Sequence, residues 1–264
     1  MQYKRHKSAI KCFKKISANP QNYLIIHYSC ESFYDINDGH TPRITSIAVF
    51  HYASGQTESF SIHKTAEKSK INLKEIENHF DELEYAMLSE FFEYAAKQEN
   101  QFWIHWNMRD INYGFKAIEH RFSVLGGNPH KIPDSKKIDL SRKLIDCYGV
   151  NYIDHPRMEK LLEKNGIKAK DYLSGQNEAE AFKNHEYVKL HMSTLRKVDV
   201  FADLLNRAIN NTLKVNSKWT EIYGLSIQGI INFCKDTWWI QIVWTVVSMI
   251  LGGLIGELIG LLFE

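Results

Sequence analysis

Residues 102–115, FWIHWNMRDINYGF, concentrate more chemically useful side chains than any other stretch of this chain. Aromatic rings alternate there with His105, Asn107, Arg109, Asp110 and Asn112 along a passage that reads as a strand running into a helix. Amides at a helix start, a guanidinium and flat aromatic faces suit a nucleotide or a strand of nucleic acid. The plainer alternative is an aromatic core closed by an Arg109–Asp110 surface pair. A second stretch, STLRKVD at residues 193–199, supplies Arg196 and Lys197 to the same expected cleft. Walker, dinucleotide-binding and H-E-x-x-H patterns are all missing; LGGNPHK follows a helix and lacks the Lys-Ser/Thr ending, so it reads as a turn. Cys12, Cys30, Cys147 and Cys234 are scattered without metal-ligand or disulfide-framework spacing.

The elements that must position these groups follow from periodicity. Leu24–Ser29, Arg43–Tyr52, Thr57–Lys64 and Gln101–Trp106 read as strands, the first three as an antiparallel meander turning at Ala53–Gln56. Between the third and fourth strands, residues 71–98 repeat apolar side chains every three or four positions, and Asn72 with Glu75 forms a capping box. Helices are expected over 110–122, 137–149 and 157–165, and in one or two pieces over 177–211. Gly126–Pro129 stops the first, while Pro156 starts and Gly166 ends the third. The fold class is α/β (α+β), a mixed sheet flanked by helices. His6, His185 and His191 are expected on surfaces.

This order of elements resembles the DEDD-type 3′–5′ exonucleases of the RNase H-like superfamily, over roughly residues 22–210. Members carry Asp-x-Glu at the end of the first strand, an Asp after an Asn beyond the fourth, and a His or Tyr followed by an Asp on the last helix. Two hard cations about 4 Å apart need that many carboxylate oxygens. The resemblance implies Glu31, Asp110 and Asp199 as the metal-holding acids, with Mg²⁺ or Mn²⁺ as cofactor and Asp35 or Asp38 as a substitute ligand. Two departures weigh against hydrolysis. Ser29 stands at the first carboxylate position, and Thr194, five residues before Asp199, stands where the base should be. A neutral hydroxyl neither bridges metals nor accepts a proton near neutral pH. The spacing from Asn107 to Asp110 is also one residue short of the family's pattern.

Charge and hydropathy divide the rest. Residues 1–20 carry six basic side chains and no acid, leaving −4 on the remainder of a chain whose net charge is +2. Such a basic arm suits phosphates of nucleic acid or lipid. Residues 237–256, TWWIQIVWTVVSMILGGLIG, carry no charge and match the thickness of a bilayer. Trp238, Trp239 and Trp244 fall where an interfacial belt belongs, and Lys214, Lys218 and Lys235 precede the span with no basic residue after it. Gly252, Gly256 and Gly260 share a helix face that admits a second helix, with Glu257 beside it.

The expected organisation is a basic arm at 1–20, an RNase H-like domain at 21–212, a linker with an interfacial helix at 213–236 and a transmembrane segment at 237–263. One pass is favoured over a two-pass hairpin, in a bacterial inner membrane with the main domain cytoplasmic. The plan is similar to that of membrane effectors of anti-phage defence, including those encoded beside retron reverse transcriptases. That similarity implies a nuclease-like domain held by nucleic acid or a reverse transcriptase-containing complex, with no cofactor, and a self-associating span that disrupts the membrane. The alternatives are a tethered metal-dependent exonuclease and a passive tail-anchored scaffold.

Overall fold

A computed structural model of the chain describes residues 2–32 and 41–262, excluding the side chains of Trp238, Leu254 and residues 256–262. A five-stranded mixed sheet forms its centre, in the order β3-β2-β1-β4-β5. The strands are β1 (Tyr23–Cys30), β2 (Ile44–His51), β3 (Thr57–Ser61), β4 (Phe102–His105) and β5 (Lys137–Asp139). β2 is antiparallel to both neighbours, whereas β1, β4 and β5 run parallel. The register sets Ser29 opposite Ser46 on β2 and Ile25 beside Ile104 on β4.

β1 is central and buried on both faces, as its Leu24-Ile25-Ile26 run requires. Its pleat sorts side chains by parity. Leu24, Ile26 and Tyr28 join the core under α3 (Phe80–Ala96) and α4 (Phe115–Val124), together with Met87, Phe91, Ile118 and Phe122. Ile25 joins the opposite core, under α1 (Gln2–Ala18), α5 (Leu140–Tyr148), α6 (Arg157–Asn165) and α8 (Tyr187–Ile209). His27 and Ser29 project to that second side, against Phe201 and Thr194 of α8. The strand therefore delivers two polar side chains beneath a long helix at its C-terminal end.

Several expectations change. The basic stretch forms a packed helix over Gln2–Ala18: Ala9, Phe13 and Ile16 recur at helical spacing and are buried, while the lysines face outward. The third strand ends at Ser61, and α2 (Ile62–Lys68) replaces its tail by burying Ile62, Thr65 and Ala66 at one-turn spacing. A fifth strand of three residues precedes α5, too short to show a period, and Asp139 at its end caps α5 by accepting from the Arg142 amide at 3.3 Å. The helix expected from residue 110 begins at Phe115, after a loop that opens with Asn107 at φ 60° and closes with Gly114. A Cβ on Gly114 would meet the Met108 carbonyl oxygen at 2.6 Å, so only glycine permits that closure. His191 is buried, with its Nδ1 2.7 Å from Ser46 Oγ. His6 is half-buried and His185 exposed.

Beyond the sheet domain come α9 (Trp219–Tyr223), α10 (Ile227–Asp236) and α11 (Trp238–Leu262), the last 25 residues long. Among the described residues no helix is long and apolar enough to cross a membrane. The described part of α11 exposes apolar side chains over most of its circumference, among them Ile242, Val243, Trp244, Val246, Met249 and Leu251, with Gln241, Thr245 and Ser248 in line on the remaining face.

Candidate functional site at the end of the central strand

The C-terminal end of β1, the start of α7 (Gly175–Lys183) and the middle of α8 enclose a cavity of about 580 Å³, lined by His27, Glu31, Tyr113, Gln176, Glu178 and Lys197 among others. Its floor is a closed polar cluster. Lys197 Nζ lies 2.7 Å from Glu178 Oε2, and Ser29 and Ser193 donate their hydroxyls to Glu178 Oε1 at 3.1 and 2.9 Å. Ser29 Oγ also lies 2.7 Å from Thr194 Oγ1, which approaches the Leu190 carbonyl at 2.9 Å. Ser29, Ser193 and Thr194 are fully buried, and the Lys197 side chain is only 9% exposed. An ammonium held this far from water requires its carboxylate partner, and the carboxylate in turn uses the Ser29 and Ser193 hydroxyls.

The residues singled out from sequence separate into three places. Glu31 lines the cavity, with its Oε2 accepting the Arg43 amide at 3.3 Å. Asp110 sits on the loop after β4, exposed, accepting the Asn112 amide at 2.8 Å. Asp199 sits on α8, half-exposed beside Arg196, whose Nη1 is 3.5 Å away; partial burial raises its carboxyl above the ordinary range. Helix geometry explains the divergence. Five residues from Thr194 turn the helix by about 140°, taking Asp199 off the face toward β1, whereas three residues leave Lys197 within about 60° of it. Asp35 and Asp38 lie outside the described residues. Among the described residues no group of three His, Cys, Asp or Glu side chains is placed to hold a metal ion. The expected convergence of Glu31, Asp110 and Asp199 is therefore replaced by a Glu178–Lys197 pair that spacing did not reveal.

The FWIHWNMRDINYGF stretch mostly satisfies itself. His105 is buried and accepts from the Met108 amide at 3.1 Å; burial lowers its pKa to about 4, so it braces the loop as a neutral ring. Arg109 pairs with Asp139 at 2.5 Å instead of Asp110, and donates to Asn107 Oδ1 at 2.6 Å. The Asn107 amide donates to Asp139 Oδ1 at 3.2 Å. Arg196 reaches the Lys170 carbonyl at 3.0 Å. Tyr113 is the member of this stretch that enters the cavity, stacked on Tyr28 with its hydroxyl 3.3 Å from His27 Nδ1.

No family model matches this chain, and no curated protein matches it. A family B DNA polymerase from the hyperthermophilic archaeon Pyrobaculum calidifontis is a similar solved structure, with 13% identity and a TM-score of 0.44. The match covers 77% of this chain and 26% of the polymerase chain, so this chain spans about a quarter of that protein's length.

His27 completes the site. It is 6% exposed, burial together with the nearby Lys197 charge holds its pKa well below the usual imidazole value, and its Nε2 has no hydrogen-bond partner among the described residues. Burial and the Glu178 and Glu31 charges push the Cys30 thiol far above its ordinary range, so it is not a nucleophile. Among the described residues the cavity thus presents a buried imidazole, the Tyr113 hydroxyl, the Glu31 side chain and the Glu178–Lys197 pair. Glu178, Ser193, His27 and Tyr113 were missed from sequence; the signal available for Glu178 was its place in the first turn of a helix capped by Ser174.

Proposed function

We propose that this chain is a membrane-anchored protein whose globular domain has an RNase H-like fold and binds rather than cuts. A five-stranded mixed sheet with β2 alone reversed, flanked by helices, supports that reading. One observation carries the inactive reading: the Lys197 ammonium, 2.7 Å from Glu178 beside Ser29, stands where a hydrolytic site of this kind would gather cations. The residues present do not fit a pair of metals. A dication about 4 Å from that ammonium would meet a repulsion on the order of 8 kcal/mol at an effective dielectric near 20. Glu178 is already held by three donors, and among the described residues the other carboxylate lining the cavity is Glu31.

The cavity keeps a buried imidazole nitrogen and aromatic walls, which suit the end of a nucleic-acid strand or a nucleoprotein partner. A helix that is apolar over most of its circumference and exposed, as α11 is over its described part, suits lipid or another copy of itself. An effector in which partner binding at the domain restrains a membrane-active tail, as in anti-phage defence, gives both ends a role. The test is direct. The purified full chain is incubated with labelled single-stranded DNA and RNA and Mg²⁺ or Mn²⁺. Intact substrate is expected, and degradation that disappears in Glu31→Ala would establish an exonuclease instead. Expression of the full chain and of a version ending at Asp236, with membrane potential followed, reads the tail. Equal potentials in both, with and without the partner, would remove the effector role.

A further inference from the structure

We infer that the exposed face of α1 is a docking surface for an anionic phospholipid bilayer, holding the globular domain down against the membrane that α11 enters. The inference rests on the anchoring reading of α11 and adds a second contact to it. Lys4, Lys7, Lys11, Lys14 and Lys15 are all exposed and fall within about 100° of the helix circumference, opposite the buried Ala9, Phe13 and Ile16. α1 itself contains no acid. It is tied to the base of the tail: Lys7 Nζ lies 3.0 Å from Asp236, two residues before α11 begins. Rings continue the link, with Tyr3 and His6 against Tyr223 at 5.5 and 5.8 Å, and Tyr223 and Trp219 against Phe233 of α10 at 5.4 and 4.8 Å.

Beside the stripe, α10 turns apolar side chains to the outside: Leu225 just before it, then Ile227, Ile230 and Ile231, between 41% and 79% exposed. Ile227 and Ile230/Ile231 share one face at one-turn spacing. Gly229 holds the other face close against the backbone of Tyr223, where a Cβ would collide with the carbonyl oxygen, which leaves the isoleucines facing outward. A lysine stripe next to an exposed apolar helix face, both at the root of an apolar helix, matches the headgroup region of an anionic leaflet. Nucleic acid would satisfy the lysines and leave the isoleucines in water.

The test uses the full chain in nanodiscs of phosphatidylcholine alone or with a third phosphatidylglycerol, and reads each lysine by amine-labelling mass spectrometry. Lys4, Lys11, Lys14 and Lys15 should label several-fold more slowly in the anionic discs, with protection lost in 0.5 M NaCl, while Lys97 and Lys168 label equally in both. Replacing Lys4, Lys11 and Lys15 by Gln, all on the surface, should weaken binding to anionic vesicles on the order of 100-fold, at about fivefold per charge. Equal labelling in neutral and anionic discs overturns the inference. So does protection by a DNA or RNA oligonucleotide that anionic lipid does not match. Failure of the chain to enter neutral discs would overturn the anchoring alone; preference for anionic vesicles over neutral ones then still decides the stripe.

Discussion

Lys197→Met removes the ammonium and keeps most of the side chain's volume, so its effect isolates charge. The parent pair lies at 2.7 Å with side chains 9% and 12% exposed, close to fully desolvated. Truncating one member leaves Glu178 charged, buried and supported only by two hydroxyls, at a cost of about 3 kcal/mol. Glu178→Gln strands the ammonium and costs a similar amount. The double variant has no orphan charge, yet it weakens the hydrogen bonds from Ser29 and Ser193, so its cost also stays near 3 kcal/mol. The cycle therefore gives a coupling of about 3 kcal/mol. Equilibrium denaturation of the full chain in micelles, followed by tryptophan emission with Trp103 fully buried as reporter, measures all four species. A Lys197→Met chain within about 0.5 kcal/mol of the parent, or a double variant that loses the sum of the two singles, would refute the claim that this pair closes the site.

Two further outcomes are expected. His191 and His105 are neutral in the fold, with burial lowering their pKa to about 3 and about 4, below the ordinary 6.5. The unfolded chain therefore takes up protons first, and stability present above pH 6.5 is lost as the pH falls toward these values. At pH 5 each histidine accounts for roughly 2 kcal/mol. Denaturation midpoints should drop between pH 7.5 and 5, less steeply in His191→Gln, and an unchanged slope in that variant would contradict the assignment. Gly114→Ala should destabilise by about 2–3 kcal/mol and raise amide exchange across residues 107–114, because its Cβ strikes backbone of Met108 and Asp110; exchange unchanged from the parent would refute the close approach.

Much of the architecture was legible because it rests on local periodicity. The Leu24–Ser29 strand, the meander, the Pro156-to-Gly166 helix and the paired helices before Asn211 stand where apolar spacing and caps put them. β5 was not legible, since three residues carry no period, and α2 was not, since Ser61-Ile62-His63 fits strand and helix alike. The packing of α1 was written in Ala9, Phe13 and Ile16 but overshadowed by its lysines. In the site, the places of Ser29, Thr194, Glu31 and Lys197 near one strand end were readable. That Asp110 and Asp199 diverge was not, because it depends on a loop closed by Gly114 and on the rotation of α8. Glu178 arrives from a separate helix, and only tertiary structure brings it to Ser29.

Calorimetric titration of Mn²⁺ into the full chain and into its Ser29→Asp, Lys197→Asp double variant asks whether the Glu178–Lys197 pair keeps metal out of the cavity. The parent should show no specific uptake and the variant measurable uptake, because its new carboxylates replace the hydroxyl and the internal cation. Stoichiometric Mn²⁺ binding by the parent, abolished by Glu31→Ala, would contradict it.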